Sequence, residues 1–141
     1  MVYWDAGPPG VRGGEEYGEA SDPYNGAEPV DSSAAAIAAQ GFWRLSRHFK
    51  KMDVERARRY ERAALRIAGT LFAEPYLATE EKHQGLILHS IYHWPNHWDH
   101  VPAGRKIPCG EASMWGDYHA LELAVMLRRG EGEDEGGGFS F

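Results

Sequence analysis

The spacing of apolar and polar residues changes abruptly at Asp31, where an irregular opening gives way to a helical pattern. The segment that follows reads "SSAAAIAAQGFWRLSRHF". Its run of alanines favours helix at low entropic cost, and either Asp31 or Ser32 suits the N-cap position. Ile37 and Trp43 add apolar bulk among small side chains that would let neighbouring helices approach closely. The pattern predicts a buried helix over residues 32–49.

Two further segments repeat apolar residues at spacings of three and four, as one face of a helix requires. The first covers residues 53–72, with Asp53 as its cap and a polar face that we expect to be in water. The second covers residues 113–129, with Ser113 as its cap and Gly130 as its end.

The arginines of the segment 53–72 are spread along its polar face. We interpret them as residues that face water, interlaced with Glu55 and Glu61, in preference to a polyanion site. They are Arg56, Arg58, Arg59, Arg62 and Arg66.

The remaining segments lack a helical period. Residues 1–30 are rich in glycine and proline and predict a surface loop, with Tyr3 and Trp4 as its anchor. The stretch "GLILHSIYH", residues 85–93, favours a short strand or extended segment over a helix, and a long proline-containing loop follows it. Residues 130–141 predict a disordered, acidic, glycine-rich tail.

The two segments 32–49 and 113–129 are apolar around most of their circumference. Three helices provide too little partner surface to cover both, so we expect another part of a larger fold to pack against them. For the chain alone, this predicts self-association through exposed apolar helices.

Composition narrows the function classes. The net charge is -6 with a pI near 5.6, which argues against nucleic acid as a partner. A single cysteine excludes an intrachain disulfide, and no apolar run is long enough to span a membrane. We therefore expect a soluble, cytoplasmic protein; an N-terminus missing from the sequence would also remove any signal peptide.

Histidines concentrate in the second half of the chain. His89, His93 and His97 are spaced by four residues, but Pro95 interrupts any helix that would align them. Neither the paired spacing of a structural zinc site nor a local signature around Cys109 is present. We expect polar histidines that line a cleft, without a metal or another cofactor.

Carboxylates and tryptophans suggest a sugar site. Hydrolysis of a glycoside needs two positioned acids, and the candidates by residue type are Asp5, Asp31, Asp99, Asp117 and Glu122. Asp31 is better explained as a helix cap, and Asp117 suits either a buried structural role or a cleft. Pyranose rings present apolar C–H faces, and the tryptophans that could stack on them are Trp4, Trp94, Trp98 and Trp115.

Three blocks of the sequence resemble the C-terminal part of glycoside hydrolase family 88, the unsaturated glucuronyl hydrolases. The blocks are "VYWDA", "DSSAAAIAAQGFWRLS" and "GLILHSIYHWPNHWDHVPAGRKIPCGEASMWGDYHALELAVML", in the order in which the family has them. The resemblance implies an all-α fold, an (α/α)6 barrel of which this chain holds roughly the last third. Residues 31–129 would then form C-terminal helical hairpins, with a short extended segment and long loops.

The family removes a 4,5-unsaturated uronic acid from oligosaccharides that polysaccharide lyases leave behind. An aspartic acid protonates C4 of the enol ether, water adds at C5, and the hemiketal collapses, with assistance from a second aspartate and without a cofactor. Both aspartates belong to the N-terminal part of the family pattern, and neither has a matching position here. We therefore assign no catalytic residue.

The resemblance instead implies a contribution to the cleft wall. Inner helices of this barrel start at the active-site mouth, which would bring Asp31, Ser32, Ser113 and Trp115 close to it. His89 is expected to reach the same mouth and to contact the sugar together with Ser113. Trp4 joins them as a stacking candidate.

Three hypotheses follow. The first is a C-terminal fragment of an unsaturated glucuronyl hydrolase, inactive alone, whose partner in the complete enzyme is an oligosaccharide with an unsaturated uronic acid. The second is a stand-alone carbohydrate-binding or interaction protein derived from that fold. The third is a small metalloprotein built on the histidines.

Overall fold

The structure, a computed structural model, describes residues 1–5 and 22–135, with the side chains of 131–135 excepted. Within these residues it contains three α-helices and no strand: α1 is Ser32–Phe49, α2 is Val54–Leu71 and α3 is Met114–Glu135. A 3₁₀ turn covers Trp94–Asn96, and two isolated antiparallel bridges join Tyr3 to Val30 and Leu77 to Ile87. The all-α fold class with extended segments and long loops is thus confirmed.

Each helix begins where a polar side chain can accept a free backbone N–H. The Asp31 carboxylate accepts from Ser33 N–H at the start of α1, and the Asp53 carboxylate accepts from Arg56 N–H at the start of α2. The Ser113 hydroxyl accepts from Gly116 N–H at 3.1 Å, which is the same arrangement at α3. These three residues are the caps that the sequence predicts.

Helix α1 is the centre of the fold, because α2 and α3 pack against it and hardly contact each other. Its side chains at these contacts are small, so the helix axes approach closely, and two fully buried leucines fill the remaining space. The buried cluster contains Val30, Ala36, Ala39, Ala68, Leu71, Tyr76, Ile87, Ala120 and Leu123.

The extended segments are joined to the helices by backbone hydrogen bonds. Trp4 N–H donates to Pro29 O at 3.1 Å and Asp31 N–H donates to Val2 O at 2.9 Å, so the start of the chain is anchored beside α1 as predicted. The rest of the predicted opening loop, residues 6–21, lies outside the described residues. In the segment 85–93, Leu88 N–H donates to Tyr76 O at 2.7 Å. The segment is therefore extended beside Tyr76, as predicted, and departs from an extended conformation at His89.

One side of α1 and of α3 carries exposed apolar residues. Ile37 and Leu45 of α1 are exposed, and Met114, Tyr118 and Leu121 of α3 are 85%, 61% and 60% exposed. Helix α1 is therefore buried on the sides that face α2 and α3, whereas Ile37 and Leu45 lie where the three helices leave it uncovered, as expected for an apolar helix with too few partners. Self-association through this surface stays a prediction.

Helix α3 continues past the predicted end at Gly130. It includes residues 130–135, which the sequence assigned to a disordered tail; residues 136–141 lie outside the described part of the chain. A glycine inside a helix costs only about 1 kcal/mol relative to alanine and does not by itself end it. At Gly130 its absent side chain is needed for packing, since a Cβ atom would lie 2.4 Å from Trp43 Cζ2.

A buried histidine joins the loops. His89 is 1% exposed, and its φ of 68° lies in the left-handed region that histidine enters more often than most residues. Its Nε2 lies 3.1 Å from Pro75 O, which can only accept, while Gly110 N–H donates to Nδ1 at 3.0 Å. The ring is therefore neutral with its proton on Nε2.

Among the described residues, the helices include none with the length and apolar character that crossing a bilayer requires.

We predict that Gly130→Ala destabilises the fold. The added methyl group would meet Trp43, which is buried and covered by the Arg47 guanidinium 4.1 Å above its ring. Overpacking of this kind costs about 1–3 kcal/mol, measurable as a lower urea midpoint. Gly41→Ala is the control: Gly41 lies inside α1 with no atom within 4 Å of its Cβ position, and alanine there should add about 0.4–1 kcal/mol. Equal effects of both changes would contradict the packing argument.

We also predict a pH dependence of stability from His89. Burial lowers the pKa of His89 below its usual value, so the unfolded chain takes up this proton first as the pH falls. The contribution is complete above about pH 7 and is lost as the pH drops through the unfolded-state pKa toward the folded-state pKa, with a slope of at most about 1.4 kcal/mol per pH unit.

The change to make is His89→Asn, because asparagine tolerates the same backbone conformation. The variant should unfold more easily at neutral pH and lose this part of the slope, measured by urea unfolding at several pH values. His97→Asn is the matched control, since His97 is exposed and also left-handed, with a φ of 55°. An unchanged slope in His89→Asn would show that this ring does not titrate on unfolding.

Candidate functional site

Three aromatic side chains meet beside the start of α3. The Tyr92 ring stacks on Trp98 with centroids 5.5 Å apart and tilts against Trp115 at 5.3 Å. Tyr92 and Trp98 are 60% and 61% exposed, so a large part of each side chain is accessible to a ligand. With Ser113 and Met114 they line a cleft of about 310 Å³, referred to below as the aromatic cleft.

Asp99 fixes the loop that presents these rings. Its carboxylate accepts from the N–H groups of Tyr92 and His93, which turns the chain back on itself before Trp98. The His93 ring lies 5.3 Å from Trp98, with the two ring planes tilted by 53°. The loop from Tyr92 to Asp99 is therefore held closed by two hydrogen bonds to one carboxylate.

Trp115 is held from the opposite side by the start of α1. Its Nε1–H donates to Ser33 Oγ at 3.2 Å, and the Ser33 hydroxyl donates to Asp31 Oδ1 at 2.7 Å. The same Oδ1 atom accepts from the N–H groups of Ser33 and Ile91, at 2.9 and 3.3 Å. Asp31 thus positions Trp115 in the aromatic cleft through Ser33. Its carboxylate is occupied by hydrogen bonds within the protein.

Ser113 lies at the rim of the aromatic cleft. Its hydroxyl oxygen accepts from Gly116 N–H and retains its own proton for donation. The close approach around it requires a glycine at 116, where a Cβ atom would lie 2.6 Å from Ser90 Oγ and 2.8 Å from Ser113 Oγ. Of the predicted site residues, the structure brings Asp31, Ser113 and Trp115 together.

His89 and Trp4 lie apart from this group. Both ring nitrogens of His89 bond to backbone atoms in the loop core, and Tyr24 and Tyr76 meet its ring edge-on at 5.1 and 5.5 Å. The Trp4 indole donates to the buried Glu28 carboxylate at 2.8 Å. In this structure both side chains stabilise loops and do not line the aromatic cleft.

A further acidic candidate, Asp117, also binds backbone atoms. Asp117 Oδ1 accepts from Leu86 N–H and Ile87 N–H at 2.9 and 3.0 Å, so it connects α3 to the extended segment. Asp31, Asp99 and Asp117 are therefore all acceptors for backbone amides, and each carboxylate is occupied in stabilising the fold.

Metal ligands do not converge in the part of the chain that the structure describes: it contains no group of three His, Cys, Asp or Glu side chains arranged around a common point. Of the clustered histidines, His100 lines the aromatic cleft, whereas His93 and His97 pack against Trp98 and Trp94. Burial raises the pKa of the Cys109 thiol, which opposes formation of the reactive thiolate.

Two residues of the site were missed by sequence reasoning. Tyr92 is the central ring of the aromatic cleft, and its position between other aromatic residues was the available signal. Ser33 connects Asp31 to Trp115, but a serine in a helix start gives no sign of a partner 82 residues away.

Comparisons with known proteins show that the chain is similar to unsaturated glucuronyl hydrolases. The chain matches the solved structure of an unsaturated glucuronyl hydrolase from Bacillus sp. GL1, responsible for the degradation of glycosaminoglycan, with 27% identity and a TM-score of 0.62. It matches a further structure, of a variant in complex with dGlcA-Glc-Rha-Glc, with the same identity and TM-score. A mutant enzyme from Streptococcus agalactiae matches with 27% identity and a TM-score of 0.55.

The matches cover most of this chain but only a part of each solved chain. The first two cover 92% of this chain and 28% of the solved one, and the third covers 71% and 26%. No protein-family model and no curated protein matches the chain. A share of 28% agrees with the prediction of roughly a third of a barrel. The resemblance predicted from the sequence blocks is thus confirmed, and the chain shares the all-α fold of the unsaturated glucuronyl hydrolases over a part of their length.

Proposed function

We propose that the aromatic cleft binds an oligosaccharide that carries a 4,5-unsaturated uronic acid, as one wall of an unsaturated glucuronyl hydrolase site. The observation that supports this most directly is the pair of stacked and exposed rings, Tyr92 and Trp98, on the loop that Asp99 holds in place. A related solved structure is a complex with dGlcA-Glc-Rha-Glc, a chain of the same chemical class.

The chemistry of the aromatic cleft suits a sugar. The C–H face of a pyranose packs on an indole or phenol ring, and its hydroxyls need polar partners at the edge. Trp98 and Tyr92 supply the rings, and Ser113 and His100 supply polar groups at the rim. The volume of about 310 Å³ suits a short oligosaccharide segment rather than a long one.

For catalysis we propose that this chain orients the substrate and that the acid comes from elsewhere in a complete barrel. Protonation of C4 needs a carboxylic acid with a proton to give, whereas Asp31, Asp99 and Asp117 each accept hydrogen bonds from two backbone amides. The chain's own contribution would be ring stacking, exclusion of water from one sugar face and hydrogen bonding at the rim.

We predict that Trp98→Ala weakens binding of an unsaturated uronyl disaccharide about threefold to tenfold, since one stacking surface is removed. Isothermal titration calorimetry on the chain measures this change. Tyr118→Ala is the matched control, because Tyr118 is also 61% exposed but lies outside the aromatic cleft. Both residues are exposed enough for either variant to fold.

The same mixtures also test catalysis. We expect no loss of the ultraviolet absorbance of the C4–C5 double bond, because the chain has no match for either family aspartate. Turnover would contradict the proposed division of roles, and equal weakening by both variants would contradict the aromatic cleft as the site. If the cell produces this chain without further hairpins and the chain binds the disaccharide, the stand-alone carbohydrate-binding protein is favoured.

A further inference from the structure

Positive charge is concentrated in one segment of the chain, which covers the end of α1 and most of α2. Nine of the 15 Lys and Arg residues lie between Arg44 and Arg66, together with only three of the 21 acidic residues. The chain as a whole has a net charge of -6, whereas this segment has a positive net charge. Such an asymmetry attracts an anionic partner to one face.

Three arginines of α2 share a face. Arg59, Arg62 and Arg66 are spaced i, i+3 and i+7, which places them along one side of the helix over about 10 Å. All three are exposed, and none forms an ion pair within the described part of the chain, not even with Glu55 or Glu61. These residues are called the arginine stripe below.

The arginine stripe begins at a hollow with an aromatic wall. Between α1 and α2, a space of about 270 Å³ is lined by Phe42, Tyr60, Ala63, Arg56 and Arg59. The Phe42 and Tyr60 rings are nearly parallel, with centroids 6.0 Å apart. The Arg56 guanidinium is fixed at the rim by Asp53 at 3.3 Å. Arg59 therefore brings a free guanidinium to the edge of an aromatic surface.

The combination of rings and guanidinium groups identifies the class of ligand. A ring accepts the apolar face of a sugar, and a guanidinium binds a carboxylate through two parallel hydrogen bonds. A nucleic acid carries about one charge per 1.7 Å and is bound by domains with a clear excess of positive charge, which this chain lacks. A uronic-acid polysaccharide has sparser carboxylates and presents sugar faces between them.

We propose that the arginine stripe and its hollow form a second binding surface for acidic polysaccharide, separate from the aromatic cleft. This surface would hold a longer uronate chain against the protein while its end occupies the aromatic cleft. The choice of polysaccharide as the partner rests on the proposed function. The positive charge and the aromatic hollow are observed independently of that function.

The test uses size-defined hyaluronan chains, which carry carboxylates but no sulfate, and the double variant Arg59→Gln, Arg66→Gln. We expect binding to weaken about fivefold to twentyfold at low salt, since two exposed charge pairs are lost, and the difference to shrink as salt is added. Affinity for the unsaturated disaccharide should stay unchanged. The control is Arg128→Gln, Arg129→Gln, which removes the same charge from exposed positions on α3.

Each outcome is decisive. Equal weakening by both double variants would overturn the proposal, because net charge alone would then explain it. Duplex DNA that binds as tightly as hyaluronan, and is lost in the same variant, would also overturn it in favour of a general polyanion surface. If the disaccharide does not bind but hyaluronan binding still depends on Arg59 and Arg66, the aromatic cleft proposal fails and this one stands.

Discussion

One carboxylate oxygen, Oδ1 of Asp31, joins three parts of the chain. It accepts hydrogen bonds from the backbone and hydroxyl of Ser33 at the start of α1 and from the backbone of Ile91 in the extended segment. Through the Ser33 hydroxyl it also positions Trp115 of α3. Hydrogen bonds to a charged acceptor are worth about 1.5–3 kcal/mol each, so the start of α1 and the aromatic cleft are stabilised together.

The helices around this point approach one another closely because the residues between them are small. Alanines form much of the surface of α1, and Gly116 and Gly130 let α3 lie against Ser90 and Trp43. Such an interface fixes the relative position of α1 and α3, and with it the distance between Asp31 and Trp115. The opposite sides of both helices carry exposed apolar residues, which agrees with a chain that matches 28% of the length of related barrels.

Local signals account for what the sequence predicted well. The three helices and their caps, Asp31, Asp53 and Ser113, depend on residues within one turn of each other. The roles of His89 and Trp4 depend on partners far along the chain, Gly110 and Glu28, that no local pattern shows. Likewise, the sequence shows a glycine at 130 but not the Trp43 ring that requires it. Sequence reasoning therefore identified the aromatic cleft in part and assigned two loop-stabilising residues to it.

The indole N–H signals of the five tryptophans, followed by nuclear magnetic resonance during titration with an unsaturated uronyl disaccharide, test the account most directly. The signals of Trp98 and Trp115 should shift, because their rings line the aromatic cleft. Those of Trp43, buried between α1 and α3, and of Trp4, bonded to Glu28, should stay in place. Shifts of Trp4 or Trp43 with Trp98 and Trp115 unmoved would contradict the account.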